Sequence, residues 1–271
     1  MTTRVLVATL AEDAAESEAA RKSAPIVVLT LSNPARRNVL SPQTCEELVA
    51  AIYQAAEAGA RAAVLTGAGE VFCAGYDLQE IPENPDPQWL TDHGPLAKMM
   101  HAVSQGPLPV VAALNGATVG GGCELALSCD LRVTHPEARL QMPPVSLGLI
   151  YTPQGVARLS ALCGLGRARQ LLLTGEPVLA PEAQSWGLVN HVVPAAKVLP
   201  EAIRLAQMLA KKPQQALLGT RILMERLLQE GSLLRPEVAQ EIFALREQAF
   251  HSADARAARA GFRSRMRPTS R

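Results

Sequence analysis

The apolar positions of this chain repeat with two periods, and glycine or proline marks most places where one gives way to the other. Two β-type runs, 5–10 and 26–32, open the sequence and are separated by an alanine- and charge-rich segment that reads as a solvated connection. Ser41-Pro42 then places an N-cap residue and a first-turn proline ahead of EELVAAIYQAAEAGA, a predicted helix that stops near Gly59. A strand at 62–66 ends at Gly67-Ala68-Gly69. VFCAGYDLQEI (71–81) makes a glycine-containing turn into a helix or irregular loop that continues to Pro87. Its proline-rich part, IPENPDPQW (81–89), is the predicted flap. A helix at 96–104 leads to a valine-rich buried run at 109–114, punctuated by Asn115-Gly116. Three glycines, Gly120, Gly121 and Gly122, then precede an apolar helical segment at 123–129. Beyond it, 131–134 and 138–141 read as short strands. Helices with i, i+3, i+4 aliphatic spacing are predicted at 153–163, 167–173, 181–186, 199–210, 213–229 and 236–250. Strands alternating with helices predict an α/β fold, with a core at 1–198 and a helical C-terminal region at 199–271. No internal repeat is visible.

Composition narrows the class. With 271 residues, 48% hydrophobic and 19% charged, the chain can bury a full core. Lys+Arg number 26 and Asp+Glu 25, a formal net charge of +1, so no global basic field points to nucleic acid. The charge is uneven, however, with six arginines and one acid between 252 and 271. The 5 cysteines, at 45, 73, 123, 129 and 163, form no C-x-x-C pair and sit mostly among apolar neighbours, as expected of reduced thiols in the cytoplasm. No run has the length of a membrane span, and the first twenty residues turn acidic where a signal peptide would reach its cleavage site. A soluble cytoplasmic protein is the expectation.

The sequence lacks a P-loop, a complete dinucleotide fingerprint, H-E-x-x-H and G-x-S-x-G. Its 5 histidines lack ligand spacing, so no metal site is expected. What remains is two glycine turns, Cys73-Ala74-Gly75-Tyr76-Asp77 and Gly120-Gly121-Gly122-Cys123-Glu124, each ending a β-type run. The first N–H groups of a helix have no partner within it and carry the positive end of its dipole, so they can face an anion or a developing oxyanion. Two such donors from two turns can bracket one oxygen. Glu124 is the single charge in the second turn and its helix. It reads either as a complement to the dipole or as a proton carrier beside the bound oxygen.

At these turns the chain resembles the crotonase, or enoyl-CoA hydratase/isomerase, superfamily. LTGAGEVFCAGYDLQE (65–80) and PVVAALNGATVGGGCELALSCDLRV (109–133) look like its two signature segments, and 168–193 resembles its downstream region. The resemblance implies a spiral of ββα units with a C-terminal helical region that trimerises, often into hexamers. It also implies an oxyanion hole made by the backbone N–H of Tyr76 and of Gly121. Coenzyme A, as part of the substrate and with no further cofactor, is then held with its adenine against Ala35, Arg36, Arg37, Asn38 and Val39 and the turn at Ala74. Phe262 and Arg265 match an aromatic and a basic position that contact coenzyme A, commonly from a neighbouring subunit.

A thioester carbonyl held by two donors has an acidic α-carbon, and one fold can then run several reactions. Hydratases of the family carry a second glutamate where this chain has Pro144. Hydration divides well between two carboxylates, so the expectation turns to reactions that ask for less. MPPVSLGLIYTPQGVARL (142–159) is similar to the methylmalonyl-CoA decarboxylases, with a proline at the same place and a tyrosine matching Tyr151 that there positions the substrate carboxylate. The likeness departs at Tyr76, where those enzymes have a histidine. Tyr76 either assists at the thioester oxygen or fills the acyl pocket. Decarboxylation of a short 2-carboxyacyl-CoA is the narrow expectation. Isomerisation or hydration by Glu124 alone, and a silent acyl-CoA-binding protein, are its alternatives.

Overall fold

The computed structural model describes residues 2–10, 25–81, 94–231 and 235–266, with side chains as far as 261. The predicted flap, apart from Ile81, and the solvated connection lie outside the described residues. The chain runs through β1 (Arg4–Leu10), β2 (Ile26–Ser32), α1 (Pro42–Glu57), β3 (Ala62–Gly67), β4 (Val71–Cys73), α2 (Pro95–Gln105), β5 (Val110–Leu114), β6 (Ala117–Val119) and α3 (Gly121–Ser128). It continues through β7 (Leu131–Thr134), β8 (Arg139–Gln141), α4 (Pro153–Thr174), β9 (Val178–Leu179), α5 (Ala180–Ser185), β10 (His191–Val192), α6 (Val198–Ala210), α7 (Gln214–Glu230), α8 (Pro236–His251) and α9 (Ala253–Met266).

From β3 to β8 the strands alternate between two sheets. One has the order β1-β2-β3-β5-β7-β10, parallel except for β1, and the smaller has the order β4-β6-β8-β9. The turns β3-β4-α2, β5-β6-α3 and β7-β8-α4 therefore each lay one strand in the large sheet, one in the small sheet and then a helix, the expected ββα unit. Within the large sheet β2, β3 and β5 are buried on both faces, and so they read as continuous apolar runs, whereas the edge strand β1 is mostly exposed. In β2, Val27, Leu29 and Leu31 pack in one cluster with Leu48 and Ile52 of α1 and Met99 and Val103 of α2. Ile26 and Val28 point the other way and pack with Val198, Ala202, Leu205 and Ala206 of α6. Each fully buried aliphatic side chain contributes roughly 1.5–3 kcal/mol, so α6 is part of the sheet's own packing.

Several elements differ from the sequence pattern. The two predicted helices at 153–163 and 167–173 form one span, α4, broken at Gly164, whose φ of 77° and ψ of 155° are not helical. The arginine-rich tail continues as α9. The second glycine turn does not follow β5 directly, because Asn115-Gly116 leads into β6, a three-residue strand of the small sheet, and the glycines come after it.

Candidate active site

Parallel pairing places the two glycine turns side by side. β4 pairs with β6 and β6 with β8, all parallel, so Cys73, Val119 and Gln141 end neighbouring strands at the same edge. Three segments leave these strand ends and meet there: the turn of Gly75 and Tyr76, the turn of Gly120 and Gly121, and the stretch from Met142 to Tyr151. Gly120 N–H donates to the Gln141 carbonyl at 2.9 Å, which ties the second turn to the end of β8.

The glycines are required by this approach. Gly75 has φ of 101°, a region that side chains disfavour, and a Cβ there would lie 2.9 Å from the Val119 carbonyl oxygen and 3.3 Å from Gly121 N. A Cβ on Gly121 would lie 3.3 Å from Tyr76 N. The two backbone nitrogens are thus neighbours. Among the described residues, neither Tyr76 N–H nor Gly121 N–H donates within the chain. Two adjacent unmatched donors, one of them at the positive end of α3, can hold an oxygen that gains negative charge.

The first turn is held by the segment at 33–40. Arg37 and Asn38 have φ of 54° and 56°, a left-handed bend in which asparagine is tolerated. The bend turns the buried Asn38 amide onto the carbonyls of Ala68 at 2.9 Å and Val71 at 2.8 Å, and its Oδ1 accepts Asn33 N–H at 2.8 Å. Ala74 N–H donates to Arg37 O at 2.9 Å, and Leu40 N–H to Gly75 O at 2.8 Å. Arg36 pairs with Asp77 at 2.8 Å. Ala35, Arg36, Arg37, Val39 and Ala74 therefore do come together. A cavity of about 160 Å³ opens beside them, lined in part by Thr3, Arg36, Val39, Asp77 and Glu80. Phe262 and Arg265 lie on the backbone of α9, with side chains outside the described residues.

Glu124 is 4% exposed, in the first turn of a helix buried from Gly122 to Ser128. Its Oε1 accepts the hydroxyl of Thr152 at 3.2 Å. Tyr151 is half-buried, and its hydroxyl lies 3.7 Å from where a Cβ on Gly120 would stand. Burial, with Cys123 and Glu124 nearby, pushes the Tyr151 phenol well above its ordinary range, so it stays protonated at neutral pH. Burial likewise raises Tyr76 to about 12, with smaller contributions from Cys45, Glu80 and Asp77. Cys73 supports the gap between the turns, since a Cβ on Gly122 would lie 2.7 Å from its Cβ and Sγ. Burial raises the Cys73 thiol to about 12. Pro144 is buried at the start of a 3-10 turn (Val145–Leu147), and no acidic residue occurs from 138 to 175.

The geometry thus gathers Tyr76, Gly121, Glu124 and Tyr151. The family model for enoyl-CoA hydratase/isomerase matches residues 21–269. The chain belongs to the enoyl-CoA hydratase/isomerase family. It is 39% identical over 186 residues to a protein of Mycobacterium tuberculosis named Probable enoyl-CoA hydratase, covering 68% of this chain and 73% of that one. It is 36% identical over 194 residues to the 2,3-dehydroadipyl-CoA hydratase of Escherichia coli, covering 71% and 75%. The solved structure of an enoyl-CoA hydratase from Bacillus anthracis superposes with a TM-score of 0.75 at 32% identity, covering 89% of this chain and 93% of that one. The α/β crotonase spiral expected from the sequence is therefore the fold of this family member. These relatives are named as hydratases, and none of them as a decarboxylase.

Thr152 and Gly155 are not among the residues that the sequence pattern singles out. Thr152-Pro153 repeats the Ser41-Pro42 pattern of an N-cap before a first-turn proline. That signal gives the helix start, but it does not say that the capping hydroxyl also meets Glu124. Among the described residues no group of three His, Cys, Asp or Glu is placed to hold a metal ion, and no helix is long and apolar enough to cross a membrane.

Proposed function

We propose that this protein is an acyl-CoA enzyme that adds water to a 2-enoyl-CoA through a thioester enolate, with Glu124 as its one proton carrier. The observation that carries this reading is the buried Glu124 carboxylate, held by Thr152 one turn away from the Gly121 donor. Glu124 takes a proton from water as the water oxygen bonds to the β-carbon. The π electrons move onto the thioester oxygen, where the N–H groups of Tyr76 and Gly121 meet the charge. The enolate then collapses as the same proton passes from Glu124 to the α-carbon. One carboxylate can do both steps when both additions fall on one face, so Pro144 in place of a second acid slows hydration without forbidding it. The hydratase names of the relatives favour this reaction over double-bond isomerisation, which the same base serves by moving a proton from one carbon to another.

Decarboxylation of a 2-carboxyacyl-CoA is the second reading, favoured by the Tyr151 hydroxyl beside the Gly120 turn. Incubating the pure protein separately with crotonyl-CoA, a 3-enoyl-CoA and methylmalonyl-CoA, with products resolved by mass, decides among these. Gain of one water by crotonyl-CoA is the expected result. Loss of CO2 from methylmalonyl-CoA without hydration would overturn the ranking. Binding without turnover of any of them would leave a silent acyl-CoA-binding protein.

The coenzyme A moiety is proposed to lie against Ala35, Arg36, Arg37, Val39 and Ala74, with Phe262 and Arg265 reaching it from a neighbouring subunit of a trimer or a dimer of trimers. Exposed Met224, Phe243 and Phe250 on α7 and α8 support an assembly that covers them. Sedimentation at micromolar concentration is expected to give three or six subunits, and a stable monomer would contradict it.

A further inference from the structure

We propose that Thr152 positions Glu124 for proton transfer, an inference that rests on the reading of Glu124 as the base. Thr152 is the N-cap of α4, and its Oγ1 accepts Gly155 N–H at 3.0 Å. That leaves the hydroxyl's single proton to donate, and Glu124 Oε1 faces it at 3.2 Å. A hydroxyl that accepts from a backbone N–H is the better donor for it, so the two bonds reinforce each other. Gly155 completes the contact, because a Cβ there would run into the same oxygen. One carboxylate oxygen is thus fixed by a donor and by bare backbone in the first turn of α4, where the helix dipole is positive. The direction of the Glu124 side chain is set by a segment 28 residues further along the chain, and not by α3 alone. A base fixed before substrate arrives loses less when the proton moves.

The cap and the positioning role separate by substitution. Thr152→Gly leaves Glu124 without the hydroxyl's proton, while glycine is tolerated at an N-cap. Thr152→Val removes both bonds, and Thr152→Ser restores both. With the thioester that the wild type converts, Thr152→Gly and Thr152→Val are expected to lose roughly 10- to 100-fold in kcat, the range for a hydrogen bond to a charged group. KM should stay within about twofold, and Thr152→Ser should keep most of kcat. Thr152→Gly should also melt close to the wild type, so its loss of rate cannot come from a lost cap. In a Glu124→Gln background Thr152→Val should cost nothing further, because the pair acts as a unit. Wild-type kcat in Thr152→Gly beside an inactive Glu124→Gln would overturn the positioning role alone. Wild-type kcat in Glu124→Gln would overturn the base itself, and this inference with it.

Discussion

The two ends of α3 are built in opposite ways. Past its C-terminal end, three buried arginines are fully engaged. Arg132 donates to the carbonyls of Cys129 at 2.6 Å and Leu188 at 2.7 Å. Arg158 donates to Ser128 Oγ at 3.1 Å and pairs with Glu225 at 2.7 Å. Arg221 pairs with Asp130 at 2.6 Å and donates to the carbonyls of Gly106 and Val103, each at 2.8 Å. Cations belong at this end of a helix dipole, and these also tie α7 to α4 and to the loop before β5. The N-terminal end has no cation in its first turn, carries glycine where contact is closest, and leaves Gly121 N–H unmatched among the described residues. The fold closes one end with side chains and keeps the other end open with backbone. The first N–H groups of a helix have no partner within it, and Gly121 is only partly buried, so this end stays able to donate to an oxygen brought beside the held carboxylate.

Substitutions at the two ends should therefore fail in different ways. Glu124→Gln is expected to lower kcat by about 10²- to 10⁴-fold, the contribution of a general acid–base group, with little change in melting temperature. A rate within a few fold of wild type would remove chemistry from the open end. Arg221→Ala should do the reverse. It strands Asp130 and two carbonyls and should cost about 3–5 kcal/mol of stability in denaturant titration, while protein that remains folded keeps its kcat. Gly122→Ala lies between the two, because the new methyl meets Cys73. An overpacking cost of roughly 1–3 kcal/mol is expected, together with a fall in kcat as the two turns move apart. The smallest effect belongs to Tyr151→Phe. Its hydroxyl has no hydrogen bond among the described residues, so hydration should change by less than about 1 kcal/mol in barrier height. A larger loss would bring the decarboxylase reading forward.

Much of this contrast is legible in the sequence, and the parts that are not have physical causes. The long apolar runs of β2, β3 and β5 carry a period, and Gly75, Gly120 and Gly121 announce turns, so the α/β class and both donors can be named. β4, β6 and β8 have three residues each, too few to show a period, yet they are what brings the turns together. The partners of the buried arginines are far apart in sequence, as with Arg221 and Asp130, and no local pattern reports them. The helical tail escapes a sequence reading because its apolar positions are mostly alanines, which mark a stripe only weakly. The expected decarboxylation rested on Pro144 and Tyr151. The structure does bring Tyr151 to the turn, and the same segment also supplies Thr152, which serves a carboxylate that decarboxylation does not need.

The central claim is that two backbone donors and Glu124 together make an α-carbon acidic. Exchange of the α-protons of a saturated thioester such as butyryl-CoA in D2O tests this most directly, since it needs enolate formation and nothing at the β-carbon. Glu124 removes the α-proton, the enolate charge rests on the thioester oxygen, and deuterium returns from solvent through the same carboxylate. The wild type is expected to add deuterium at the α-carbon, read by mass, while Glu124→Gln binds the thioester with similar affinity and adds none above the solvent rate. Exchange that continues undiminished in Glu124→Gln, or its absence in a wild type that binds butyryl-CoA, would contradict the account.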